Sequence, residues 1–195
     1  MTAATRSLLL ILGVLGLGLV ASGLYVLNLR PERAAGAGAI GAPFELAAAD
    51  GGRVSDAGLR GEPHLVFFGY THCPDVCPTT LAQISAAFAA LGKDAKIGAL
   101  FVTVDPERDT PAALKAYLSS FDPRIVGLTG TDAEIRAAAK AFRAYYRKNP
   151  PNESGGYAMD HTGVVYLMDR DGNFVGALNL ERPAAEVAKE LRGYL

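Results

Sequence analysis

The chain has 195 residues, half of them apolar, and sets 19 basic against 20 acidic side chains for a net charge of −1. That balance removes the electrostatic case for nucleic-acid binding. Without its first 41 residues the chain is the size of one ordinary domain, and it shows no repeats and no long low-complexity tract.

Residues 1–7 read as a short N-terminal tail. Leu8 to Leu29 carries no charge and is long enough to span a bilayer of ~30 Å. We expect one uncleaved transmembrane helix there, over 8–29. The competing reading is a cleaved signal peptide, since Ala34-Ala35-Gly36-Ala37 offers small residues. The apolar stretch is longer than a signal core of ~7–15 residues, and Tyr25 and Asn28 near its end suit a membrane interface. An anchor starting at residue 8 leaves no room for an Arg-rich transit peptide, so a bacterial protein is expected. Residues 30–41 are rich in Ala and Gly and read as a flexible linker. The domain is expected over 42–195.

Within it, Pro43-Phe44-Glu45-Leu46 and Arg53-Val54-Ser55 flank the turn signal Asp50-Gly51-Gly52. They predict a short hairpin ahead of the main sheet. His64 to Gly69 predicts a buried strand. Thr79 to Leu91 predicts a helix, with Leu81, Ile84, Ser85, Phe88 and Leu91 on one face and Gly92 as its stop. Ile97 to Val104 predicts a second buried strand. Thr110 as N-cap and Pro111 at the first helical position start the next helix, to about Ser120. Arg124 to Leu128 predicts a third strand. Thr131 caps a helix to about Phe142, with Glu134 completing a capping box. Strands alternating with helices in this order give right-handed crossovers and a parallel sheet.

The pattern then changes. Lys148 to Gly156 reads as a polar loop. Thr162 to Met168 and Phe174 to Leu178 flank a turn and predict a hairpin, and Pro183 to Tyr194 predicts a last helix. Together these predict an α/β thioredoxin-like fold: a central mixed sheet with flanking helices, preceded by the transmembrane helix.

The cysteines, Cys73 and Cys77, fall between the first buried strand and its helix. A helix N-terminus favours thiolate over thiol, and the thiolate is both nucleophile and metal ligand. The i, i+4 spacing puts two side chains on one face of a helical turn. From there two sulfurs can grip one ion, and a disulfide stays open as well. Two thiolates alone are too few for zinc, whereas two sulfurs with one imidazole suit copper.

Three histidines compete to be that imidazole. His64 starts a strand far from the cysteines and is expected at the surface. His72 adjoins Cys73 inside the turn, where tuning of the thiol is expected rather than ligation. His161 directly precedes a strand expected to run antiparallel to Leu65–Gly69, so it should land at the sheet edge that carries the cysteines. On geometry alone it reads equally as a ligand or as a hydrogen-bonded loop histidine. Asp105 is open as an orienting group for His161 or as a turn carboxylate. Arg108 and Asp109 are expected to be solvated, and Asp160 is open as a docking charge or a plain loop residue.

Three stretches carry a resemblance: Phe68-Gly69-Tyr70-Thr71-His72-Cys73-Pro74-Asp75-Val76-Cys77-Pro78, Val104-Asp105-Pro106-Glu107-Arg108-Asp109-Thr110, and Asp160-His161-Thr162 with Tyr166-Leu167-Met168-Asp169 and Gly172. Together they closely resemble the Sco/SenC family, over essentially the whole chain. The resemblance implies a copper ion, Cu(I) or Cu(II), on Cys73, Cys77 and His161. It implies a membrane-tethered domain facing the periplasm or the intermembrane space; with the bacterial reading above, a single-pass protein of the bacterial inner membrane with its domain in the periplasm is expected. It also implies a role as metallochaperone for the dinuclear copper centre of cytochrome c oxidase subunit II; a periplasmic copper donor protein is open as a second partner. Two alternatives use the same sulfurs: a thiol–disulfide reductase keeping the subunit's cysteines reduced, and a copper or redox sensor.

Overall fold

The computed structural model describes residues 40–41, 43–153 and 155–195, together with Gly16. The expected transmembrane segment 8–29 and most of the expected linker lie outside the described residues. Among the described residues no helix is long and apolar enough to cross a membrane.

The strands are β1 (Glu45–Ala48), β2 (Arg53–Ser55), β3 (His64–Gly69), β4 (Gly98–Thr103), β5 (Ile125–Thr129), β6 (Tyr146–Lys148), β7 (Met159–His161), β8 (Val165–Met168) and β9 (Phe174–Ala177). Among the described residues from 40 onward the helices are α1 (Val76–Leu91), α2 (Pro111–Leu118), α3 (Asp132–Phe142) and α4 (Ala184–Arg192), with a 3-10 turn at Ala57–Leu59. Seven strands form one sheet in the order β2-β1-β5-β4-β3-β8-β9. β3, β4 and β5 are parallel, while β8 runs antiparallel to β3 and β1 antiparallel to β5. This is the mixed sheet expected. The N-terminal hairpin is not separate from it: β1 pairs with β5 and lengthens the sheet at that edge.

Every residue of β3 is buried, as a central strand with both faces covered requires. Alternation sends Phe67 and Phe68 to opposite faces. Phe67 packs on Phe101, ring centroids 6.0 Å apart. Phe68 meets Phe142 of α3 at 5.5 Å and Tyr166 of β8 at 6.2 Å. α1 and α4 pack together, burying Leu81, Ile84, Phe88, Val187 and Leu191.

The helix boundaries follow local chemistry. The Thr110 side chain accepts from the Ala113 N–H, with Pro111 following it. Thr131 and Glu134 make the full capping box. Gly92 ends α1 at φ +96°, a conformation that costs glycine little. α1 begins at Val76, three residues before the predicted start, so its first turn contains Cys77.

Two further expectations are corrected. The stretch after α3 is not only a loop: β6 and β7 pair antiparallel as a separate two-stranded ribbon, with Tyr146 opposite His161. His161 therefore stands in that ribbon and not directly ahead of β8. Three-residue strands of mixed polarity carry too little periodicity to be read. His64 is not a surface residue. It is 6% exposed, and burial lowers its pKa because the charged ring loses hydration.

Candidate metal centre

The parallel strands β3 and β4 end at one edge of the sheet, and the loops leaving them carry the chemistry. The chain leaves β3 through Tyr70, turns with the Cys73 N–H donating to the Tyr70 carbonyl at 3.2 Å, and enters α1. Cys73 precedes the helix and Cys77 lies in its first turn, so the two are not a pair on one helical face. The Cys77 N–H, one of the unpaired donors of the helix N-terminus, points at Cys73 Sγ at 3.4 Å. The field of the helix end thus acts on Cys73.

Cys77 is in a different environment. It is wholly buried, and burial drives its pKa upward against the smaller opposing effect of a hydrogen bond with the Tyr70 backbone. The expectation that both thiols are activated by the helix is therefore corrected: for Cys77, desolvation outweighs the helix terminus.

His161 closes the site from the ribbon. Its Nε2 lies 3.5 Å from Cys77 Sγ, and its Nδ1 lies 3.2 Å from the Thr162 carbonyl. A carbonyl only accepts, so Nδ1 carries the proton and Nε2 presents its lone pair to the Cys77 thiol, which donates to it. The ring stands edge-on to Tyr70 and Phe67, at 5.8 and 6.2 Å between centroids. Tyr145 and Thr162 lock the ribbon base, with the Thr162 N–H donating to the Tyr145 carbonyl and the Tyr145 N–H to Thr162 Oγ1, both at 2.9 Å. The ligand atoms of Cys73, Cys77 and His161 all lie within 4.8 Å of one another, close enough to hold a metal ion. Both cysteines are free thiols. Two sulfurs and one imidazole nitrogen form a soft donor set of the kind that suits copper.

The other residues weighed from sequence sort clearly. His72 is exposed, with its Nδ1 3.0 Å from Thr71 Oγ1. Asp160 is occupied by Arg147 and Asn149, at 2.7 Å each. Asp105 does not orient His161 directly; it binds Arg108 Nε at 2.5 Å and the Tyr157 hydroxyl at 2.9 Å. Arg108 and Asp109 are not solvated turn charges. Asp109 is fully buried, and the Arg108 guanidinium lies 3.6 Å over the Tyr157 ring. Two signals pointed to them: a loop at the end of a parallel strand and a place in one of the stretches that carry the resemblance. Tyr157 gave none. A cavity of about 520 Å³ lies at the other end of the sheet, beside His64 and Arg124, and contains none of the three ligands.

Residues 32–195 match the family model for SCO1/SenC. The chain belongs to that family. It is 36% identical over 172 residues to the mitochondrial SCO1 homologue of Mus musculus, covering 87% of this chain and 61% of that protein. The chain spans between 49% and 61% of the length of the mammalian, plant and fish relatives it matches. Among solved structures, copper-bound ScoI of Bradyrhizobium japonicum is 55% identical, with a TM-score of 0.77 over 80% of this chain and all of that one. BsSco, a member of the Sco family of cytochrome c oxidase assembly proteins in which a disulfide switch was identified, is 25% identical. Its TM-score is 0.63, over 81% of this chain and 94% of that one.

Proposed function

We propose that this chain is a copper metallochaperone. It takes one copper ion as cargo on Cys73, Cys77 and His161 and passes it to subunit II of a cytochrome c oxidase for the dinuclear copper centre there. The observation that carries the reading is the convergence of two free thiols and one imidazole within 4.8 Å, with Cys77 and His161 84 residues apart in sequence. The copper-bound relative and the oxidase-assembly role of BsSco support the choice of metal and acceptor. The expected anchor over 8–29 and linker over 30–41 would tether the 42–195 domain to the bacterial inner membrane, facing the periplasm. A periplasmic donor protein would supply the copper.

The chain's own residues account for retention and release. Nδ1–H bonded to the Thr162 carbonyl keeps the Nε2 lone pair directed at the sulfurs. Burial of Cys77 keeps competing water away. Only Cys73, 9% exposed, and His161, half-buried, face the outside, so an acceptor's ligands would displace these two before Cys77.

A second reading, thiol–disulfide reduction of the acceptor's cysteines, is favoured by one observation: both thiols are free and close enough to exchange. The test loads the full-length chain anaerobically with one equivalent of copper and offers it an oxidised and a reduced peptide carrying the acceptor's cysteines. The chaperone reading expects copper transfer to the reduced peptide and little reduction of the oxidised one. It also expects Cys73→Ala or Cys77→Ala to abolish tight binding. Rapid reduction without transfer would replace it with the reductase reading.

A further inference from the structure

We propose that the turn Asp105–Asp109 is a positioning bracket. It grips the cysteine loop with one end and the histidine ribbon with the other, and so sets the separation of the three ligands. The inference rests on the ligand set proposed above.

One grip is Asp109. Its carboxylate is fully buried and accepts from the Thr71 N–H at 3.0 Å, the Thr71 hydroxyl at 2.6 Å and the Thr103 hydroxyl at 2.6 Å. Thr71 lies two residues before Cys73, and Thr103 ends β4. A carboxylate with three donors is among the stronger anchors available to a loop. It pins the start of the cysteine turn to the sheet.

The other grip is Arg108. Its Nε donates to Asp105 Oδ2 and its Nη1 to the Tyr157 carbonyl at 3.0 Å. The guanidinium carbon lies 3.6 Å from the centroid of the Tyr157 ring and 5.8 Å from that of Tyr70. The Tyr157 hydroxyl returns to Asp105 Oδ1 at 2.9 Å, so Asp105, Arg108 and Tyr157 form a closed ring. Tyr157 enters β7, four residues before His161, and the Asn149 N–H bonded to the Ala158 carbonyl at 2.9 Å carries the constraint into the ribbon. Tyr70 stands between Arg108 and His161, edge-on to the imidazole.

The bracket itself is stiff. The N–H groups of Arg108 and Asp109 both donate to the Asp105 carbonyl, at 3.2 and 2.9 Å, and the Asp105 N–H donates to Thr103 Oγ1 at 2.9 Å. The side-chain hydrogen bonds of Asp109 and Arg108 end on Thr71, Thr103, Asp105 and Tyr157, so both act through residues that lead to the ligands. One detail argues against a purely stabilising role. Arg108 Nη2 is buried without a hydrogen-bond partner among the described residues, an arrangement folded proteins avoid unless another demand keeps the residue there.

The test compares the full-length parent with Arg108→Lys, Arg108→Met, Thr71→Val and His161→Ala. The readouts are Cu(II) and Cu(I) affinity, the metal-free NMR resonances of the His161 ring, and the metal-free rate of Cys73 alkylation. Both Arg108 variants should lower Cu(II) affinity by ~10–100-fold, the range for losing a group that orients a ligand. They should shift the His161 resonances and leave Cu(I) affinity near parental. Lysine keeps the charge but not the flat fork, so it should not rescue. Thr71→Val should speed alkylation of Cys73 and weaken both oxidation states. Parental Cu(II) affinity and parental His161 resonances in folded Arg108 variants overturn the bracket. Should those variants fail to fold, Thr71→Val decides, because it removes one hydroxyl; parental alkylation and affinity there overturn the bracket. Parental Cu(II) affinity in His161→Ala overturns the ligand set instead, and the metal-free resonances then decide the bracket alone.

Discussion

Replacing Gly69 by alanine should damage the site without touching a ligand. Gly69 ends β3, and its carbonyl accepts from the Val104 N–H at 2.8 Å. A Cβ at this position would lie 2.7 Å from Phe101 Cε2, 3.1 Å from Phe101 Cζ and 2.8 Å from Cys77 Sγ. Ordinary contact between such atoms begins at ~3.5 Å, so the ring and the sulfur must each retreat by roughly 0.7–1 Å. Neither has room. Phe101 is fully buried, with Phe67 at 6.0 Å on one side and Tyr117 at 5.9 Å on the other. Cys77 is fully buried in the first turn of α1. Overpacking of this kind costs ~1–3 kcal/mol, and a displaced sulfur should lower copper affinity by ~10-fold or more, as a disturbed ligand shell does. Urea unfolding of the metal-free protein and competition titration for Cu(I) measure the two effects. Gly163→Ala is the control, since its added Cβ would meet only Val76 Cγ1, at 3.9 Å. If Gly69→Ala unfolds within ~0.5 kcal/mol of the parent and binds Cu(I) as tightly, the close packing of Gly69 against the sulfur does not shape the site.

Three further outcomes are expected. His161→Ala should weaken Cu(II) binding far more than Cu(I), because Cu(II) prefers nitrogen-containing shells while two thiolates still hold Cu(I); equal losses in paired titrations would make His161 a loop-holding residue. The Glu134 carboxyl, bound first by Arg53 and then by Thr131, has its pKa lowered from 4.5 to about 2. Its contribution is therefore present above pH 4.5 and fades as pH falls from there toward about 2, so Glu134→Gln should flatten the stability profile in that window when unfolding is followed by circular dichroism. Under native conditions a small alkylating reagent should modify Cys73 well before Cys77, because burial withholds the Cys77 thiolate and each pKa unit of elevation removes it roughly tenfold; equal rates in a mass-spectrometric time course would refute the asymmetry.

Much of the fold was legible because its signals are local. β3 and β4 are unbroken apolar runs, and Thr110-Pro111 and Thr131 with Glu134 mark two helix starts by chemistry that acts within one turn. The order of strands and helices then limits the topology to few choices. Both cysteines and the sheet edge that receives His161 followed from that reasoning. What stayed hidden depends on pairings remote in sequence. The ribbon of β6 and β7 is three residues on each side, too short for any pattern. Asp109 reads as one more charge in a polar turn, and only its distance to Thr71, 38 positions earlier, shows it buried. Arg108 reads the same way until Tyr157, 49 positions later, covers its face. The activating effect of the helix end on Cys77 was expected from position alone, and position does not report how deeply a sulfur is buried.

That burial bears on the choice between carrier and reductase. A thiol that attacks disulfides must spend time as an accessible thiolate. Cys77 has neither access nor a favourable environment for the free anion, being wholly buried with its pKa driven upward. Any attack would fall to Cys73, with Cys77 as resolving partner. A soft cation changes the balance for Cys77. It replaces the thiol proton, so that the sulfur's negative charge is neutralised by a bond rather than by water, and desolvation no longer opposes the anion. The same burial that suppresses the free thiolate therefore leaves the metal-bound one tolerable and shields it from exchange. His161 adds to this. Its Nε2 already meets the Cys77 sulfur at 3.5 Å, where a bare dithiol chemistry has no need of an imidazole. A buried thiol, a thiol at a helix terminus and a histidine fixed in its tautomer thus favour the carrier reading proposed above over the reductase one.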